Sequence, residues 1–75
     1  MRGRRLRGIK PREAIRAFVR AGGIQRKKGR GDHVNIKMPS GQIITIPNRR
    51  ELKIGLLKSA IAKAGLSEEQ FADLL

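Results

Sequence analysis

The stretch His33-Val34-Asn35-Ile36-Lys37-Met38-Pro39-Ser40-Gly41-Gln42-Ile43-Ile44-Thr45-Ile46-Pro47 decides the fold. Val34, Ile36 and Met38 alternate with Asn35 and Lys37, the period-two pattern of a strand buried on one face. Pro39-Ser40-Gly41 carries turn chemistry, and Gln42 to Ile46 is rich in β-branched residues. Two antiparallel strands joined as a hairpin are expected, with Pro47 ending the second.

Outward from the hairpin, the period changes to that of helices. Upstream, Pro11 suits the first position of a helix and Glu13 its positive end. Ile15, Phe18, Val19 and Gly22 recur at i, i+3, i+4 and i+7, so a helix over about 11–21 is expected, stopped by Gly22-Gly23. Ile24 to Lys28 is long enough for a short third strand. Downstream, Leu57, Ala60, Ile61 and Ala64 form an apolar stripe, and Gly65 supplies a left-handed cap with Leu66 behind it. Asn48 to Glu51 has the form of a capping box, which would start this helix near 49 or nearer 53. Ser67 with Gln70 forms a second one, opening a short closing helix that carries Phe71, Leu74 and Leu75.

The resulting order is α-β-β-β-α, an α+β fold. Two helices cover one face of a small three-stranded antiparallel sheet and leave the other face wet. Residues 1–10, mostly Arg and Gly, are expected to be a flexible basic arm, and residues 11–75 a single domain. Ile15, Phe18, Val19, Ile36, Ile46, Leu57, Ile61 and Phe71 are the expected core. At 75 residues that core is thin, since a chain of this size buries only roughly 60% of its unfolded surface.

Charge narrows the function. Eighteen Lys and Arg against six acids give a formal net charge of +12. Residues 1–30 hold twelve of the cations and one acid, Glu13, a net of +11. A field so localised attracts a polyanion, because each neutralised phosphate releases condensed counterions. Solubility alone does not require that concentration. Nucleic acid is the leading partner and an anionic membrane surface the rival. Membrane binding would call for a long amphipathic helix, and the Arg-rich start has almost no apolar face. The strand pattern over 33–46 argues against a DNA-binding helix-turn-helix. With no cysteine, disulfides and thiolate metal sites are excluded. No apolar run reaches the roughly 18–20 residues needed to span a bilayer, and no signal-peptide pattern follows the basic start, so the cytoplasm is expected.

His33 is the only histidine. Alternation places it opposite Val34, Ile36 and Met38, on the wet face with Asn35 and Lys37. An imidazole beside cations suits RNA chemistry. It can take a proton from a ribose 2′-hydroxyl while Lys or Arg holds the phosphate under attack. One histidine leaves the general acid unassigned. Lys27, Lys28, Arg30 and Lys37 surround it in sequence or on its strand face. Arg49, Arg50, Lys53 and Lys58 lie near the start of the last long helix. With only two aromatics, both at helical core positions, base stacking is poorly supplied.

Over residues 11–75 the chain resembles the HicA family of toxin–antitoxin systems. Arg12-Glu13-Ala14-Ile15-Arg16-Ala17-Phe18-Val19-Arg20-Ala21-Gly22 is similar to that family's first helix, and Gly31-Asp32-His33 falls where the family has Gly-Ser-His. Pro39-Ser40-Gly41 is similar to its hairpin turn. Ile44-Thr45-Ile46-Pro47 is followed, as in the family, by a Glu-Leu pair, Glu51-Leu52. Gly55-Leu56-Leu57-Lys58-Ser59-Ala60-Ile61, Ala64-Gly65-Leu66-Ser67 and Glu69-Gln70-Phe71 complete the order. The resemblance implies a fold like the double-stranded-RNA-binding domain, metal-independent mRNA cleavage without a cofactor, and neutralisation by a HicB-type antitoxin. It also implies His33 as the catalytic residue. Asp32 stands where Ser is commoner, and Val34 where a second histidine often follows. The alternative is a non-catalytic RNA-binding module of the same fold.

Overall fold

The computed structural model describes residues 6–26 and 33–75. Helix α1 (Pro11–Arg20) precedes strands β1 (Ile24–Gln25), β2 (Val34–Lys37) and β3 (Ile43–Ile46), and helices α2 (Ile54–Lys63) and α3 (Glu68–Asp73) follow. The strands form one antiparallel sheet in the order β1-β2-β3. The architecture is the α-β-β-β-α fold expected, with α3 as the short closing helix.

The hairpin has the register its alternation requires. Val34 pairs with Ile46 and Ile36 with Ile44, all four buried toward the helices. Asn35 pairs with Thr45 and Lys37 with Ile43 on the other face. The Gly41 N–H donates to the Met38 carbonyl at 2.8 Å, closing a turn with Pro39 at its second position. Gly41 has φ of 94°, a left-handed geometry that lets the strand re-enter register at Gln42.

Both long helices end by the same device. Gly22 (φ 103°) donates to the Val19 carbonyl and Gly23 to that of Phe18. Gly65 (φ 81°) donates to the Ala62 carbonyl and Leu66 to that of Ile61. These are Schellman motifs, which satisfy carbonyls that a helix end leaves orphaned. At α3, the Ser67 hydroxyl accepts from the Gln70 N–H while the Gln70 side chain accepts from the Ser67 N–H, the reciprocal box expected there.

Three expectations shift, and one choice left open is decided. Helix α1 buries Ala14, Ala17 and Phe18, whereas Val19 is 42% exposed, so its buried face is rotated from the Ile15–Val19 stripe. The two alanines let the backbone approach the sheet closely, which larger residues would prevent. Of the two starts open for helix α2, near 49 or nearer 53, the later holds: it begins at Ile54 with Lys53 at its N-cap. The segment before it stays extended because Leu52 is buried and its N–H donates to the Ile9 carbonyl at 2.8 Å. That bond also draws in the amino-terminal segment. Ile9 is fully buried and Leu6 packs against the core, so the packed body begins before Pro11. The third strand occupies Ile24–Gln25 of the 24–28 expected. Residues 27 and 28, like residues 1–5 of the arm, lie outside the described residues.

Gly23, between α1 and β1, sits tightly between the end of the helix and the sheet. A Cβ there would meet Ile36 Cγ2 at 2.6 Å, the Phe18 carbonyl oxygen at 2.8 Å and Met38 Sδ at 2.9 Å. The carbonyl is a backbone atom held in the helix end, so it cannot swing aside. Gly23→Ala should therefore cost about 1–3 kcal/mol through overpacking. Urea unfolding measures this as a lowered midpoint with an unchanged slope. An unshifted midpoint would contradict the close approach.

Candidate nucleic-acid interface

The helices leave one face of the sheet open, and alternation decides what stands on it. Ile24 and Lys37 are paired across β1 and β2, and Lys37 and Ile43 across β2 and β3. This row presents one cation between two exposed isoleucines. In the next row, the Thr45 hydroxyl donates to Asn35 Oδ1 at 2.8 Å, and the Arg26 N–H donates to the Asn35 carbonyl at 2.8 Å. His33 lies one step beyond the Val34–Ile46 pair, at the end of β2, and its side chain is exposed. The open face thus runs from Lys37 to Asn35, and the same alternation carried one step past β2 would bring His33 onto it.

The proposed phosphate ligands fall into separate places. Lys37 is exposed on the open face, but four residues of strand put it about 13 Å from His33 along β2. The two cannot share one phosphate, although they can serve successive ones on a strand laid along β2. Lys53 is exposed at the cap position of α2, beside Arg49 and Arg50 on the β3–α2 connection. Lys58 lies one turn into α2, its ammonium 3.8 Å from the Glu68 carboxylate of α3. A cation so engaged offers less to RNA. Lys27, Lys28, Arg30 and the neighbouring Asp32 lie outside the described residues. Val34, where the family often has histidine, faces the core and is 9% exposed, so in this chain the position serves packing.

Sequence reasoning missed other cations that the fold brings forward. Arg26 is exposed, and its backbone bond to Asn35 places it one row from His33. Arg12, Arg16 and Arg20 are exposed and four apart, so they form one basic stripe along α1. Arg20 is tied down, its Nη1 donating to the Leu74 carbonyl at 2.6 Å. The i, i+4 spacing of these arginines was available in the sequence and would have revealed the stripe.

The end of the sheet that carries His33 also carries a cavity of about 440 Å³. Its apolar walls come from Ile15 on α1, Val34 on β2, and Ile46 and Pro47 at the end of β3. Lys10, Arg12, Arg49 and Arg50 stand around it with Asn48. These residues converge because the Leu52–Ile9 bond holds the β3–α2 connection against the start of α1. Among the described residues, no helix is long and apolar enough to cross a membrane.

A family model described as the HicA toxin of bacterial toxin–antitoxin systems matches residues 11–66. The matched stretch runs from the start of α1 through the Schellman motif that ends α2, and it includes His33 and the cavity walls. Among curated proteins, none matches the chain.

Proposed function

The chain belongs to the HicA toxin family of bacterial toxin–antitoxin systems, and from that premise we propose that it acts by cutting messenger RNA with His33 as general base. What supports the reading is that His33 is exposed and directly precedes β2, where strand alternation would set it on the face that the helices leave open. There the imidazole can reach a ribose without unfolding anything. In the proposed step, His33 takes the 2′-hydroxyl proton, and the 2′-oxygen attacks the adjacent phosphorus. The bond from phosphorus to the 5′-oxygen breaks, and that oxygen takes up a proton from solvent. The products are a 2′,3′-cyclic phosphate and a 5′-hydroxyl. The step as written requires neither a metal nor a cofactor: the RNA supplies the nucleophile and His33 the base. Among the described cations, Arg26, bonded through its backbone to Asn35, is placed to hold the attacked phosphate. Lys37 and Lys53, with Lys27, Lys28 and Arg30, bind other phosphates of the strand, and Lys58 contributes least.

Such an enzyme works in the cytoplasm, where its substrate is, and must be held inactive there. The partner in this reading is a HicB-type antitoxin that lays acidic surface over His33 and Lys37 and competes with RNA for the same charges. Opposite potentials also speed its encounter with the +12 chain. Mixing the two proteins should abolish cutting and RNA binding together, and raising salt should weaken the complex. Electrophoretic titration with labelled RNA checks this. A silenced complex that still holds RNA at the toxin's own affinity would overturn occlusion.

A further inference from the structure

We propose that the cavity at the His33 end of the sheet is a nucleotide subsite that takes one unstacked base of the RNA strand and gives the enzyme its sequence preference. The inference rests on the RNA-cleaving reading for its substrate, and on the geometry for its place. The cavity has about 440 Å³, within the roughly 300–1,000 Å³ of small-ligand sites. Its composition matches the two halves of a nucleotide. Half-buried Ile15, with the part of Val34 that stays accessible, offers apolar surface to a base. Lys10, Arg12, Arg49 and Arg50 offer four charges to the phosphate that travels with that base. A neutral metabolite would leave these cations unused, and a bare anion would leave the apolar walls unused. A nucleotide uses both.

Asn48 is the neutral polar side chain of this lining, and it is exposed at the end of β3. Its amide presents a donor and an acceptor together, the pair needed to read a base edge. Val34 lines the cavity and His33 directly precedes it, although alternation turns the two side chains to opposite faces of the sheet. Their Cα atoms are separated by the about 3.8 Å of a trans peptide. A strand that passes around this end of the sheet can seat one base in the cavity and carry a neighbouring ribose and phosphate to His33. Base choice is made by Asn48 and the apolar walls, and cutting by His33.

The test uses the whole chain and small probes: the four ribonucleoside 3′-monophosphates one at a time, and inorganic phosphate. Backbone amide shifts of Ile15, Val34, Ile46 and Asn48 should move with the nucleotides. At least one nucleotide should bind about ten-fold tighter than phosphate. Asn48→Trp, at an exposed position, should fill the mouth and remove that advantage while the other amide shifts of the fold stay in place. Asn48→Ala should flatten the differences among the four nucleotides and leave phosphate binding unchanged. Equal affinity for phosphate and all four nucleotides would overturn the subsite, as would shifts confined to the open sheet face. The two readings fail separately. A chain that seats nucleotides here but never cuts RNA refutes only the nuclease. One that cuts RNA equally well with and without Asn48→Trp refutes only the subsite.

Discussion

His33→Ala should yield a protein that folds and binds RNA as before but cuts it at least about 10²–10⁴-fold more slowly, the contribution of a positioned general base. The separation follows from where His33 stands. Its side chain is exposed and outside the core, so its removal opens no cavity. The ladder of β2 is made by backbone groups from Val34 onward and does not depend on the imidazole. Affinity comes from many cations acting through counterion release, and His33 is not one of the eighteen. Circular dichroism, filter binding and a cleavage time course on the same preparation measure the three properties. Retained cutting at the wild-type rate would remove His33 from the mechanism. Lost binding would assign it to affinity instead.

The largest effect on stability is expected at the aromatic pair. Phe18 of α1 and Phe71 of α3 are fully buried with ring centroids 4.9 Å apart and planes tilted by 48°. Truncating a buried Phe to Ala costs about 3–5 kcal/mol, including the cavity it leaves. A chain of 75 residues has a total stability of roughly 4–11 kcal/mol at typical values per residue. Phe71→Ala therefore removes about a quarter or more of the whole, and at the upper end unfolds the protein. At about 4–8 °C per kcal/mol, the melting temperature should fall by more than about 12 °C. Phe71 lies beyond the residues the family model matches, so the result also shows whether α3 closes the core or merely ends the chain. A melting temperature within about 3 °C of wild type would mean that α3 is dispensable.

The sheet could be read from the sequence because one face of it is dry. Val34, Ile36 and Met38 had to point one way, which fixed the hairpin and sent His33, Asn35 and Lys37 to the other face. The helix ends were equally clear, since Gly22, Gly65 and the Ser67–Gln70 pair each have a local backbone reason to be there. Where packing relies on small residues, the pattern misled. Ala14 and Ala17 carry little hydrophobic signal, yet they make the α1 interface, while the larger Val19 stays out. Ile9 was hidden among basic residues with no period to mark it, and only its contacts with the later chain bury it. The cavity is harder still. It combines residues 10–15, 34 and 46–50, and nothing local to any one of them signals the others. Likewise, the pairing of Lys58 with Glu68 depends on how α2 and α3 dock.

The most direct test of the account is the chemistry of the cut ends. The wild-type chain is incubated with single-stranded RNA in EDTA, and the product termini are identified by mass spectrometry. Attack by the 2′-oxygen activated by His33 predicts cleavage with 2′,3′-cyclic phosphate and 5′-hydroxyl ends, and no cut at a position carrying a 2′-deoxy sugar. RNA that stays intact, or fragments ending in 3′-hydroxyl and 5′-phosphate, would contradict it.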